Sequence, residues 1–205
     1  MSHAIHRFRA SVALLAIVAT TSACGGKKAV LAPEWEQLKP SCMAVLPVQN
    51  ESTDGEAPAV FRRLLEEKLP AKGYRVPPRD FVDKILIENF DINPDEGGQI
   101  MAADPLELAK ELECDGLLYA TVAEWGKRTL YVYNEISVAG SYEVLSGQDG
   151  GQLWLLQEDG VKYVELNKWD DHEAAAASTA KFLLMSYEPF AVQAIDQALG
   201  KLPNR

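Results

Sequence analysis

The stretch ECDGLLYATVAEWG, residues 113–126, is a long apolar run that begins just after a cysteine. Its Leu, Tyr, Val and Trp residues favour a β-strand. Two further runs of similar composition follow, TLYVYNEISVAGSYEVL (129–145) and QLWLLQED (152–159), and turn-forming residues separate them. The second half of the chain therefore predicts three long strands that are neighbours in sequence.

The middle of these three runs alternates between two faces. Its even-numbered residues are mostly apolar, with Asn134 and Gly140 as exceptions, and a period of two is typical of a strand with one buried face. The composition of residues 146–151 predicts a hairpin turn, and VKYVEL (161–166) is either a continuation of the third run or an edge strand. We expect an antiparallel extension of the sheet here.

The first half alternates strands with helices. MAVLPVQN (43–50) predicts a short strand buried on both faces, and Pro47 should mark its exit because proline cannot donate to a central ladder. Residues 74–76 predict a second, brief strand. Apolar stripes and capping residues predict three helices, over 57–69, over 81–90 with Asp80 as the cap, and from the cap Asp104 to about Leu112.

From Asp171 the sequence favours helix again, with a break expected at Pro189. The resulting order, β-α-β-α-α-β-β-β-α-α, joins a small parallel set with right-handed crossovers to an antiparallel extension. The sequence thus predicts one α/β domain with a mixed α+β character. Its central mixed sheet would carry helices on both faces, and the chain would end in helices.

The N-terminus has the plan of a secretory signal peptide. Arg7 and Arg9 precede an apolar, uncharged stretch over residues 10–20, and small residues follow up to Ala23. The apolar stretch is too short to span about 30 Å of hydrocarbon as a mature helix. We therefore expect a cleaved leader over residues 1–23.

Cys24 follows this leader directly and resembles the cysteine of a bacterial lipobox, whose thiol takes a diacylglycerol and becomes the new N-terminus. Thr21 stands where a lipobox usually has leucine, and the alternative is an ordinary secreted protein with a plain thiol. The resemblance implies an outer-membrane address on the periplasmic face, since Gly25 and Gly26 stand where aspartate would retain the protein in the inner membrane. Residues 24–40 are then predicted to be a lipidated tether and residues 41–205 the domain.

Composition limits the partners. The chain has 205 residues, 47% of them hydrophobic, and a formal net charge of −10. Removing the leader takes away two of the 20 basic residues and none of the 30 acidic ones, so the mature chain is more acidic still. This balance argues against nucleic acid and against electrostatic docking on anionic lipid. The size allows one ordinary core.

Cys42 and Cys114 remain as a pair if Cys24 carries lipid, in an oxidising compartment. Each stands just before a strand-like run. If those strands are parallel neighbours about 4.8 Å apart, both thiols lie at the same end of the sheet, where a disulfide is geometrically allowed. The alternative is two buried free thiols, which are common in cores.

Aromatic residues concentrate in the second half. Tyr131 and Tyr133 have the parity opposite to the inward residues of their run, and Trp125 and Trp154 lie on the neighbouring runs. Such residues could form an exposed aromatic patch, a feature that marks partner surfaces. The alternative is that the C-terminal helices cover the face of Tyr131 and Tyr133 and make these tyrosines part of the core.

No arrangement of residues predicts catalysis, a metal site or a cofactor. His172 is the one histidine left after the leader, and its acidic neighbours point in different directions on a helix. Those acids are explained by capping and by the helix dipole. We therefore expect a protein that is not an enzyme, with a periplasmic binding protein for a small envelope ligand, or a hydrolase that uses acids or His172, as the rival interpretations.

The segments MAVLPVQNES (43–52), ECDGLLYATVAEWG (113–126) and SYEVLSGQDGGQLW (141–154), with the lipobox, resemble a family of bacterial lipoproteins of unknown function. The domain of that family is similar to the N-terminal domain of TolB, and the same architecture underlies CsgG and the lipoprotein activators of cell-wall synthases. The resemblance implies a non-enzymatic, accessory or assembly subunit of an envelope or secretion complex. The implied partners are the outer membrane, through the lipid, and other envelope lipoproteins, a secretion pore or further copies of the chain.

Overall fold

The structure, a computed structural model, describes residues 27–130, 132–167 and 172–205. A six-stranded mixed sheet forms its centre, with the strand order β1-β6-β5-β4-β2 and with β3 also paired to β4. The strands are β1 (Val30–Leu31), β2 (Met43–Val45), β3 (Gln49–Asn50), β4 (Gly116–Thr129), β5 (Tyr133–Ser146) and β6 (Gln152–Leu166).

Two kinds of pairing build this sheet. β2 and β3 run parallel to β4, on either side of the interruption at Pro47, while β4, β5 and β6 form an antiparallel meander. The mixed α/β class, the small parallel set and the antiparallel extension are therefore confirmed. VKYVEL is the continuation of β6, whereas residues 74–76 contribute only an isolated parallel bridge between Arg75 and Cys42.

Among the described residues, six helices pack around the sheet. They are α1 (Trp35–Leu38), α2 (Ala57–Lys68), α3 (Arg79–Phe90), α4 (Pro105–Glu111), α5 (His172–Leu183) and α6 (Glu188–Gly200). The Asp104 carboxylate accepts hydrogen bonds from the backbone N–H groups of Leu106 and Glu107, as its position before Pro105 predicts. Gly73 adopts a φ of 92° after α2 and its short 3₁₀ extension, a conformation that favours glycine.

Several helix boundaries differ from the prediction. α3 begins one residue before Asp80, directly after Pro78, so Asp80 lies in the first turn instead of capping it. Pro189 lies in the first turn of α6, where a missing N–H costs nothing, and the break falls just before it. Residues 97–102 form 3₁₀ turns between α3 and α4.

The predicted tether is partly wrong. Residues 30 and 31 pair with β6, and Trp35 of α1 is buried in the main core. An indole that large stabilises the fold when it leaves water, which outweighs the cost of ordering a short segment. The folded domain thus begins near Ala29, about a dozen residues before Ser41.

The first face of the sheet carries the larger core. α2 and α6 cover it, and the single buried residue of α5, Phe182, joins them. Phe61 of α2 stacks on Tyr142 with ring centroids 6.4 Å apart and meets Trp125 edge-on at 5.9 Å. This cluster ties β4, β5 and β6 to the helices.

The second face is covered over only part of its width. α3, α4 and the 3₁₀ turns pack on β2 and on the start of β4, where Leu117 and Tyr119 are buried. On β5 this second cluster reaches only Leu145. Within the described ranges, therefore, no helix lies over the rest of the second face of β5 and β6.

Candidate functional site, the uncovered part of the sheet

The uncovered part of the second face is built from three cross-strand rows. After a β-bulge between Val122 and Glu124, the register aligns residues of β4, β5 and β6 across the sheet. The rows are Glu124–Ala139–Gly160, Gly126–Ser137–Lys162 and Arg128–Glu135–Val164. We call these nine residues the open face. Small residues fill its centre; Ala139 is buried, while Gly126 and Ser137 are partly exposed and a Cβ at Gly126 would meet no other atom.

Charges lie around this small-residue centre. Lys162 Nζ lies 3.4 Å from Glu135 Oε1, and Arg128 is exposed beside the same glutamate. The Glu135 side chain is largely sheltered, whereas that of Lys162 is more than half exposed. The open face consequently has both signs of charge at its rim.

A buried polar network supports the adjacent end of the sheet, where β4 turns into β5. The Asn134 side-chain amide donates to Asn167 Oδ1 at 3.0 Å, and the Asn167 amide donates to the carbonyl of Leu130 at 3.0 Å. Thr179 of α5 adds a hydroxyl 3.4 Å from Asn134 Oδ1. Asn134, the polar exception in the inward parity of β5, is thus a structural residue that fixes this hairpin against α5.

Exposed apolar side chains gather at this same end. Leu166 is 79% exposed and Leu184 87% exposed, and they are accompanied by Leu130, Val132 and Leu183. We call these five residues the end surface. Scattered apolar residues are ordinary, but a group that meets at one end of a fold marks a contact surface.

The α5–α6 connection is held to β4 by one lysine. Lys127 Nζ donates to the carbonyl of Leu183 at 2.8 Å and to that of Met185. It also lies 4.8 Å from the centroid of the Tyr187 ring, and burial raises the pKa of that phenol. Between the hairpin end and α5 lies a groove of about 610 Å³, which is lined by Leu130, Asn167, His172 and the alanine-rich side of α5.

The predicted aromatic patch is wrong for both tryptophans. Trp125 is 8% exposed and Trp154 1% exposed, because both side chains face the helices of the first face and belong to its core. Tyr133 is half-buried, and Tyr131 lies outside the described residues. Helices therefore cover both tryptophans, whereas burial of the two tyrosines by the C-terminal helices stays a prediction.

Cys42 and Cys114 meet at the opposite end of the sheet. Met43 of β2 pairs with Gly116 of β4, so the strands are parallel neighbours and the cysteine Cα atoms lie 4.9 Å apart with their sulfurs in bonding contact. Both residues are buried in the second core. The geometry suits the disulfide that the sequence allows.

Asp115 clamps the same end. Its carboxylate accepts hydrogen bonds from the backbone N–H of Cys42 at 2.7 Å, from that of Ser41 at 2.9 Å, and from the Ser41 hydroxyl at 2.9 Å. Burial alone would raise the pKa of Asp115, but these hydrogen bonds stabilise the charged form and lower it.

In the part of the chain that the structure describes, no three His, Cys, Asp or Glu side chains are grouped closely enough to hold a metal ion. His172 lines the alanine-rich groove, while Asp170 and Asp171 lie outside the described residues. No helix among the described residues is long and apolar enough to cross a bilayer.

Cys24, the predicted lipidation site, also lies outside the described residues, as does the leader. Sequence reasoning missed the open face and the end surface, because both depend on which strands the helices leave uncovered. The possibility that VKYVEL is an edge strand was the one indication in the sequence of a free sheet edge. Asn134, a polar residue at an inward position, was the indication of the buried network.

Known proteins resemble this chain in sequence. The family described as "Putative lipoprotein GNA1162-like" matches residues 33–180. The curated protein "Putative lipoprotein NMB1124/NMB1162" from Neisseria meningitidis serogroup B is 28% identical over 145 residues, which cover 68% of this chain. The match spans 65% of that relative, slightly less than two thirds of its length.

Solved structures resemble it in fold. The crystal structure of lipoprotein GNA1162 from Neisseria meningitidis has a TM-score of 0.53 at 20% identity, covering 70% of this chain and 95% of that one. The PelC dodecamer from Paraburkholderia phytofirmans has a TM-score of 0.48 at 16% identity, covering 80% of this chain and 89% of that one. The family match over most of the chain decides the assignment: the chain belongs to the GNA1162-like lipoprotein family, whose function is unknown.

Proposed function

We propose that this protein is an outer-membrane lipoprotein on the periplasmic side, where it acts as a non-catalytic accessory or assembly subunit of an envelope or secretion complex. Membership of a lipoprotein family supports the anchor. Cys24, behind the apolar leader, is the residue that would carry the lipid.

The open face is the observation that carries the accessory role. It is a part of the sheet that the helices of the second core leave uncovered, with small residues at the centre and charges of both signs at the rim. Enzymes and small-ligand sites generally enclose their substrate in a concave pocket, whereas an uncovered sheet surface suits a protein. We propose that the partner is another envelope lipoprotein, a secretion pore or a further copy of the chain, and that it contacts this face.

A disulfide between Cys42 and Cys114 would fit that compartment. Disulfides persist in the periplasm and are rare in the cytosol. The two cysteines are buried and adjacent, so the pair can form without rearrangement of β2 and β4.

The test is site-specific photocrosslinking in envelopes. A benzophenone amino acid at Ser137 of the open face should capture a defined partner, and one at Glu88 on the exposed side of α3 should not. Both proteins should carry an acylated N-terminus by intact mass, and Cys24→Ser should lose the acyl mass and most of the crosslink. A plain N-terminus would refute the anchor, and equal capture at both positions would refute the open face as the contact.

A second candidate function rests on the groove at the end of the sheet. Its volume of about 610 Å³ and its largely apolar lining suit an acyl chain or a similar small envelope ligand. Native mass spectrometry of protein purified from envelopes should then retain a ligand that Ala176→Trp displaces. The same ligand load in the variant would exclude this site.

A further inference from the structure

The direction in which the chain leaves the domain is set by β1. Val30 pairs with Leu155 and Leu31 with Trp154, and this pairing is antiparallel. Followed backward from Val30, the chain therefore runs along β6 toward its C-terminal end. The ion pair between Lys27 Nζ and Glu158 Oε2, 2.7 Å apart, keeps it beside β6.

Little chain separates this point from the anchor. Cys24 precedes Lys27 by three residues, which reach at most about 10 Å when fully extended. The predicted tether over residues 24–40 would have allowed a reach of roughly 55 Å. Because β1 and α1 belong to the folded domain, a lipid on Cys24 would hold the domain against the membrane.

The end surface lies in the same direction. From Glu158 to Leu166 β6 advances about 26 Å at the usual rise of a strand. An upright domain, anchored about 10 Å beyond Lys27, would bury its last 15 Å or so in the bilayer. The domain must therefore tilt, so that the end surface and the neighbouring part of β6 both reach the membrane surface.

The outer edge of β6 suits that position. β1 pairs with only two of its residues, and no other described strand pairs beyond Asp159 on that edge. The exposed residues there include Lys162, Tyr163, Val164 and Leu166. A tyrosine and a lysine flanking aliphatic residues is a composition found at the boundary between lipid headgroups and acyl chains.

We propose that the end surface and the free edge of β6 rest on the lipid bilayer, with Leu130, Leu166 and Leu184 at the level where headgroups meet acyl chains. This proposal rests on the lipid anchor proposed above. The contact is apolar and not driven by net charge, since the chain is acidic. Lys162 and Val164 would then lie at the membrane boundary, and the β4 and β5 residues of the open face would stay available to a protein partner.

The test measures lipid contact at matched leucines. Leu130 and Leu106 are similarly exposed, at 46% and 43%, but Leu106 lies beside Gly150 in the β5–β6 turn, at the opposite end of the sheet. Leu130→Cys and Leu106→Cys, in the acylated full chain, are labelled with nitrobenzoxadiazole. The proteins are reconstituted in vesicles of phosphatidylethanolamine and phosphatidylglycerol that contain a doxyl-labelled lipid.

Quenching by the doxyl lipid should be about threefold stronger at Leu130 than at Leu106, because only the first would lie within the few ångströms over which apolar side chains insert. Leu166→Glu, at a largely exposed position, should lower the quenching at Leu130 without unfolding the protein.

Two results would overturn the proposal while leaving the anchor intact. Equal quenching at both leucines on an acylated, vesicle-bound protein would show that the end surface does not touch lipid. A Leu130 probe that is shielded from solvent more strongly as the protein density on the vesicle rises, and that the doxyl lipid does not quench, would show a second copy of the chain on this surface. A chain that is neither acylated nor vesicle-bound would instead refute the anchor itself.

Discussion

Reduction of the Cys42–Cys114 pair is the perturbation whose effect follows most directly from the structure. The two cysteines join the start of β2 to the start of β4 and are 72 residues apart in sequence. The segment between them contains α2, α3 and α4. The bond would therefore restrict the unfolded state of more than a third of the chain.

The size of the effect comes from loop closure. In the chain-entropy treatment, a loop of this length loses about 15 cal/mol/K, which is about 4 kcal/mol at 25 °C. For a domain of this size, that loss corresponds to a decrease in Tm of about 12 °C. Both cysteines are buried, so opening the bond should leave the fold intact but less stable.

Urea unfolding with and without a phosphine reductant measures this loss of stability. Cys24→Ser serves as the starting protein, since it then contains only this pair. The double variant Cys42→Ala with Cys114→Ala is the matched control, and the reductant should not change its urea midpoint. Two free thiols in the unreduced, unfolded protein would refute the bond, and a loss below about 1 kcal/mol on reduction would refute the loop-closure reasoning.

Three further perturbations test other parts of the fold. Asp115→Asn should cost about 2 kcal/mol at neutral pH because an amide accepts fewer of the hydrogen bonds. The lowered pKa of Asp115 means that this stabilisation is complete above about pH 4 and is lost as the pH falls further, so the difference between wild type and variant should narrow there. Phe61→Ala should cost about 4 kcal/mol, whereas Phe81→Ala, on the surface of α3, should cost less than about 1 kcal/mol. Lys201→Met should cost about 3 kcal/mol by leaving the buried Asp159 without its ion pair.

Urea midpoints at several pH values distinguish these outcomes. An Asp115→Asn difference that stays constant down to pH 2 would contradict the role of the ionised carboxylate. Equal losses at the two phenylalanines would contradict the burial that separates them. An unchanged midpoint for Lys201→Met would mean that the remaining hydrogen bond from Gln197 to Asp159 suffices.

Much of the architecture was predictable because local signals agree with the fold. The three long strands and the inward parity of β5 were correct from Ile136 to Val144, and Asp104 caps its helix as predicted. Among these elements, only the boundaries differ from the prediction. Val132 has the inward parity but is exposed, since it lies beyond the reach of the helices.

The errors share one cause, which is that exposure is a property of the whole fold. Trp125 and Trp154 are candidates for a partner surface in the sequence, but in the fold they belong to the core that α2 and α6 cover. The segment before Ser41 shows little apolar periodicity, yet Trp35 is buried and Val30 pairs with β6. Pairing with a distant strand leaves no periodic signal in two residues.

The sequence by itself determined the class of fold, because strand and helix propensities, proline positions and capping residues act over a few neighbouring residues. It also singled out Cys24 and the Cys42 and Cys114 pair as candidates for chemistry. Only the tertiary structure decided which sheet face stays open, how short the link to Cys24 is, and which leucines remain in contact with solvent. Those properties arise from packing between segments more than a hundred residues apart, such as β1 on β6, and no local pattern encodes them.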